Sequence, residues 1–168
     1  MSDTSPFAIN PKLDLVLERR VSVPPALVWE AWTQPEHLKQ WFCPRPWSVA
    51  ECEIDLRPGG LFRTVMQSPD GELMPTSDGC YLEVEPHRRL VWTSAMGPGY
   101  RPVQPGREDD LLFTAFILIE PEGDGSRYTA IAVHPDPAGK ARHEAMGFHE
   151  GWATALEQLV EYMRGLSH

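Results

Sequence analysis

The chain has 168 residues, 42% hydrophobic and 23% charged, the proportions of one ordinary globular domain. Its 24 acidic against 15 basic side chains give a formal net charge of -9, which argues against nucleic-acid backbones and anionic membranes as partners. No apolar stretch approaches the roughly 20 residues of a membrane span, and the opening MSDTSPFAINPKLD has no signal-peptide character, so a soluble cytoplasmic protein is expected.

Residues 1–11 are polar with two prolines and are expected to fray, leaving 12–168 as a single domain. Residues 13–23 alternate, with Leu13, Leu15 and Leu17 on one face, and predict a strand. Pro24-Pro25 suits a helix start. Leu27, Val28, Ala31 and Trp32 give that short helix an apolar side, and a second short helix runs from Glu36 to Trp41. Strands are predicted at Trp47–Leu56 and Leu61–Gln67, joined by the turn Arg57-Pro58-Gly59-Gly60, then at Ser77–Val84 and Leu90–Ala95. Gly97–Asp110 reads as a long loop. Leu111–Glu120 and Arg127–His134 form a last hairpin, and both faces of its first strand are apolar, as a second packed surface such as a homodimer interface would require.

The stretch from Pro137 to His168 has the longest helical period. Ala145, Phe148, Trp152, Ala155, Leu156, Leu159, Val160 and Met163 share one face. A single long helix after a run of strands buries that stripe on the sheet, in an α+β arrangement with a cavity between the two. Gly147 and Gly151, four residues apart, leave one helix face bare. Such glycines cost about 1 kcal/mol each against alanine, so either a close neighbour or an opening into the cavity should explain them.

Alternation along the strands sorts the cavity candidates. Ala50, Cys52, Ile54 and Leu56, then Phe62, Thr64 and Met66, then Cys80, Leu82 and Val84, then Leu90, Trp92 and Ser94 are expected to face the helix. The candidate lining is Phe62, Met66, Cys80, Trp92, Phe113, His134, Phe148, Trp152 and Leu156, opened by Gly147 and Gly151. Arg101, Tyr100 and Asp78 are further polar candidates, and Trp41-Phe42 with Trp47 can cover a pocket mouth. No GxSxG, HExxH, Walker or GxGxxG pattern occurs. His134, His143 and His149 have poor metal spacing, and His143 reads as part of a solvated helix start. Cys43, Cys52 and Cys80, without a CxxC pair, read as small buried hydrophobes in a reducing compartment. No cofactor, metal or catalytic residue is expected.

Five ordered segments carry a resemblance: RRVSVPPALVWEAWT (19–33), PEHLKQWF (35–42), DLRPGGLFR (55–63), GCYLEVEPHRRLVWT (79–93) and MGFHEGW (146–152). The chain resembles the activator of Hsp90 ATPase homologue 1-like family of the START-like, Bet v 1-like (SRPBCC) superfamily, over residues 13–164. The resemblance implies the helix-grip fold: about six to seven antiparallel strands wrapped around a long C-terminal helix, two short helices after the first strand, and a pocket for an apolar ligand. The fold hosts several functions. The leading expectation is non-enzymatic binding of a small hydrophobic or amphipathic ligand. The alternatives are a cochaperone-like interaction module with a chaperone partner, as the family name implies, and a cyclase/aromatase-like or hydratase-like enzyme using His134 and Asp78.

Overall fold

The computed structural model describes residues 8–104 and 111–166. In chain order it contains β1 (Asp14–Val21), α1 (Pro25–Thr33), α2 (Pro35–Trp41), β2 (Ser48–Ile54), β3 (Leu61–Gln67), β4 (Ser77–Glu85), β5 (Arg89–Thr93), β6 (Met96–Gly97), a 3-10 turn (Pro98–Tyr100), β7 (Arg101–Pro102), β8 (Thr114–Glu122), β9 (Gly125–Val133), α3 (Pro137–Ala145) and α4 (Phe148–Gly165). Seven strands make one curled antiparallel sheet in the order β1-β9-β8-β5-β4-β3-β2. The chain leaves one edge at β1, crosses through α1 and α2 to the far edge at β2, and meanders back. This is the helix-grip arrangement.

Local chemistry sets the boundaries. Pro25 and Pro35 each stand in the first turn of their helix, where the missing N–H is no loss. Asp136 caps α3 by accepting from the Gly139 N–H at 2.7 Å. Asn10 N–H donates to Asp14 Oδ2 at 2.8 Å in a turn that leads into β1; residues 1–7 lie outside the described residues. Part of the predicted loop is structured too: β6 and β7 pair around the 3-10 turn, while residues 105–110 lie outside the described residues.

The single C-terminal helix is corrected to two. Gly147 takes φ 91° and ψ 40°, a left-handed conformation that ends α3 and starts α4. Phe148, Ala155, Leu156, Leu159 and Met163 of the predicted stripe are buried, whereas Ala145 lies beyond the break and is exposed. Burying each large side chain of this stripe contributes about 1.5–3 kcal/mol.

Pairing register defines the inner face. Leu15 and Leu17 on β1 stand opposite Ala132 and Ala130 on β9, which stand opposite Ala115 and Ile117 on β8. Trp92 on β5 pairs with Ala115 and with Tyr81 on β4, and Phe62 on β3 pairs with Gly79. These residues belong to one core that includes Val28, Trp32, Leu38 and Trp41 from the short helices.

Two bulges upset the simple alternation. One lies between Val49 and Glu51, where Val49 faces Met66 and Glu51 faces Val65. Val49 and Val65 are buried, whereas Met66 and Leu56 are each 37% exposed. Met66 is therefore removed from the cavity candidates, and Leu56 from the core face. The other bulge lies between Tyr81 and Glu83. It lets both Tyr81 and Val84 reach the core. Cys80 is buried, but it stands opposite Leu61 and Thr93 on the outer face, and it too leaves the candidate lining.

Candidate functional site

A row of rings runs between the inner sheet face and α4. Tyr81 stacks on Phe62 at 5.3 Å. Phe62 meets Trp92 edge-on at 5.0 Å, and Trp92 meets Phe113 at 5.5 Å. Phe113 is 4.7 Å from His143 and 6.1 Å from Trp152, and Trp152 is 4.8 Å from Phe148. Phe42 closes on Phe62 at 6.1 Å from the α2 side. Edge-to-face pairs of this kind add about 0.5–1.5 kcal/mol each beyond area burial. Phe62, Tyr81 and Phe148 are buried, while Phe42, Phe113 and Trp152 are half-buried and carry the row towards solvent.

Two polar atoms inside this row have no hydrogen-bond partner among the described residues: Tyr81 Oη and Trp92 Nε1. Both side chains are buried, Tyr81 fully and Trp92 at 7% exposure. Other buried polar groups nearby are satisfied. Trp32 Nε1–H donates to Tyr128 Oη at 3.1 Å, and Trp41 Nε1–H donates to the Ala31 carbonyl at 3.1 Å. A bare buried donor costs about 1–3 kcal/mol, so the pair marks a place where the fold lacks a polar partner. Burial pushes the Tyr81 phenol far above its ordinary value, and Cys52 nearby adds to the shift.

His134 and His143 form a chain beside Phe113. His134 Nδ1 lies 2.7 Å from the Leu13 carbonyl, and its Nε2 lies 2.9 Å from His143 Nδ1. A carbonyl only accepts, so His134 Nδ1 carries the proton and its Nε2 accepts from His143 Nδ1–H. His143 Nε2 then carries no proton. Burial, followed by the neighbouring His134, pushes His143 down to about 4.

The structure brings Phe62, Trp92, Phe113, Phe148 and Trp152 together, with Leu156 in the same core, and does not include Met66 or Cys80. His134 has both ring nitrogens engaged, so it orients His143 rather than facing the interior as a free polar group. Asp78 is exposed and 3.5 Å from Arg63, and it lies outside the row. Tyr100 and Arg101 are exposed, and the Tyr100 ring lies against Gly59. Trp41 is core, Phe42 stands at the row's end, and Trp47 is 40% exposed. A Cβ at Gly151 would meet nothing within 4 Å, which excludes a close neighbour as its reason; Gly147 is a helix break and not a bare helix face.

Sequence reasoning missed Tyr81 and His143. Alternation counted from Cys80 puts Tyr81 on the outer face, and only its pairing with Trp92 reveals its side. A helix start reads as solvated, yet His143 is 6% exposed. Its spacing of five from Phe148 offers no signal without the Gly147 break.

Two surface grooves lie elsewhere. One of about 670 Å³ runs between Arg19–Ser22 and the Ala153–Gly165 side of α4. Another of about 720 Å³ is bordered by His87, Arg88, Leu118 and Arg127. Both carry charged side chains and neither contains the bare donors. Among the described residues no three His, Cys, Asp or Glu side chains group as metal ligands, and no helix is long and apolar enough to cross a membrane. Cys43, Cys52 and Cys80 are free thiols.

The sheet gripping α4 over an aromatic interior defines the class, a START-like helix-grip protein. The model of the "Activator of Hsp90 ATPase homolog 1-like protein" family matches residues 22–164, and the chain belongs to that family. A solved structure from Nitrosomonas europaea is 49% identical, with a TM-score of 0.87 over 93% of this chain and 97% of that one. A Rhodobacter sphaeroides structure at 22% identity reaches a TM-score of 0.78 over 95% of this chain and 98% of its own. One from Arthrobacter aurescens, also at 22%, reaches 0.74 over 94% and 89%. The last two share the fold alone. No curated protein matches the chain.

Proposed function

We propose that the protein binds a small, largely apolar ligand between the inner sheet face and α4, without transforming it. The observation that carries this reading is the aromatic row from Tyr81 to Trp152 with two bare buried donors, Tyr81 Oη and Trp92 Nε1. Apolar walls with a few convergent polar atoms are what a small-molecule site needs. A core packed for stability alone gains nothing from unpartnered donors. Gly151, with open space around its Cα, keeps the adjoining face of α4 free of side chain.

The test is a titration with N-phenyl-1-naphthylamine, an uncharged probe that fluoresces in apolar surroundings. One saturable site per chain with micromolar affinity supports the reading. Absence of saturable enhancement, with the protein folded by circular dichroism, contradicts it.

The family description favours a second reading, an interaction module acting on an Hsp90-type ATPase. Stimulation of a bacterial Hsp90 ATPase by the full chain, unaffected by the probe, would favour that reading over the first.

A further inference from the structure

The two edges of the sheet are finished differently. β2 carries the bulge between Val49 and Glu51, and α2 packs beside it, so it offers no regular ladder to a new strand. β1 has β9 as its only strand neighbour, and their register runs unbroken from Asp14 to Val21. Beyond that ladder no backbone hydrogen bond involves residues 19–22 among the described residues. A strand's backbone groups point alternately to its two sides, so half of those at this end of β1 face away from β9.

The groove of about 670 Å³ opens along this edge. Arg19, Arg20, Val21 and Ser22 all line it. Four consecutive residues border a groove together along a strand's edge, since a face offers only alternate ones. The opposite wall is α4, where Leu156, Val160 and Arg164 recur at helical spacing. Buried Leu156 and half-buried Val21 and Val160 make the base apolar.

The charges in the groove are not all satisfied. Arg20 pairs with Glu122 at 3.1 Å, and Glu161 with Arg45 at 3.6 Å. Arg88, Arg89 and Arg127 of the other groove each have a carboxylate as well. Arg19 and Arg164 have none among the described residues; the Arg19 guanidinium donates to the Glu18 carbonyl at 2.8 Å.

From this geometry we infer that β1 accepts an extended acidic peptide as an added strand between β1 and α4. Its carboxylates meet Arg19 and Arg164, and an apolar side chain between them rests on Val21, Leu156 and Val160. Strand addition takes affinity from main-chain hydrogen bonds and specificity from alternate side chains. Glu157 lines the same helix wall, but it stands seven residues from Arg164, about 10 Å along the axis. That is roughly a Debye length, so a carboxylate at Arg164 is clear of it.

A second copy of the chain fits this edge poorly. Antiparallel pairing of β1 with itself centred on Glu18, Arg19 or Arg20 sets like charges directly opposite. Centring it on Val21 sets Arg19 and Arg20 against Val23 and Ser22, with a carboxylate for neither.

The probe is the fluorescein-labelled peptide amide Thr-Glu-Thr-Val-Thr-Glu, titrated with the full chain at pH 7 and read by fluorescence anisotropy. One control carries lysine for both glutamates. Two others are N-methylated on the odd or on the even residues. The glutamate peptide should bind about fivefold tighter than the lysine peptide. N-methylation of one alternate set, the one facing β1, should weaken binding well beyond the other. The exposed Arg19→Glu variant should erase the preference for glutamate, and backbone NMR shifts should centre on residues 19–22. Equal affinity for the glutamate and lysine peptides, equal effects of the two N-methylated sets, or no binding overturns the inference. A wild-type chain that sediments as a dimer, with Arg19→Glu monomeric, overturns it in favour of a second copy. None of these outcomes bears on apolar binding between the sheet and α4, which the naphthylamine titration tests separately.

Discussion

Phe62 and Tyr81 stack with ring centres 5.3 Å apart and planes 29° apart, on neighbouring strands of the inner sheet face. Tyr81 is fully buried there, and its hydroxyl has no partner. The phenol thus sits where alternation along β4, counted from Cys80, would not put it.

Removing that hydroxyl should not destabilise the ligand-free protein. An unpartnered buried group contributes desolvation cost and no bond, so Tyr81→Phe is expected to be neutral or to stabilise by about 1 kcal/mol. Urea unfolding followed by circular dichroism checks this. A loss above about 2 kcal/mol would mean that the hydroxyl has a partner.

The two C-terminal glycines should respond in opposite directions. Gly147 has φ 91°, so Gly147→Ala places a Cβ in a left-handed conformation and should cost about 1–2 kcal/mol. Gly151 lies in the first turn of α4 with open space around it, so Gly151→Ala should stabilise by about 0.5–1 kcal/mol. Thermal melts of both variants measure the contrast. The same change in both would contradict a helix break at Gly147.

Acid should weaken the fold through His143. Its ordinary value is 6.5, and burial beside His134 holds it at about 4 in the folded protein. Between those values the unfolded chain binds a proton that the folded chain does not. The associated stability is full above pH 6.5, falls as pH drops through this window, and is gone below about 4. The whole loss is about 3 kcal/mol. Denaturant melts at pH 7.0 and 4.5 should show a smaller drop for His143→Phe than for the wild type. Parallel drops would show that His143 does not titrate this way.

Gln158 anchors the connector after α2. Its Oε1 accepts from Arg45 N–H at 2.9 Å, and its Nε2 donates to the Trp41 and Cys43 carbonyls at 3.0 and 2.8 Å. Gln158→Leu leaves these backbone groups unpaired and should cost about 2–4 kcal/mol. A smaller loss in the same urea assay would show that water replaces the amide.

Much of this architecture is visible in the residues. Leu15 and Leu17 announce the inner face of β1, Pro25 and Pro35 the starts of α1 and α2, and Phe148 to Met163 the buried stripe of α4. Bulges are not visible, because one extra residue at Ala50 or Leu82 changes which neighbours share a face, and only strand pairing reveals it. That is why Cys80 read as lining and Tyr81 did not. His143 escaped for another reason: its burial depends on α3 folding back beside α4 at Gly147, which no periodicity over Pro137–His168 reports.

The indole N–H signal of Trp92 tests the central claim most directly. In nitrogen-resolved NMR spectra recorded during the N-phenyl-1-naphthylamine titration, Trp92 and Trp152 should shift together and saturate, while exposed Trp47 stays in place. Shifts confined to Trp47, or to the backbone of Arg19–Ser22 and Glu161–Gly165 along the outer groove, would contradict a ligand site between the sheet and α4.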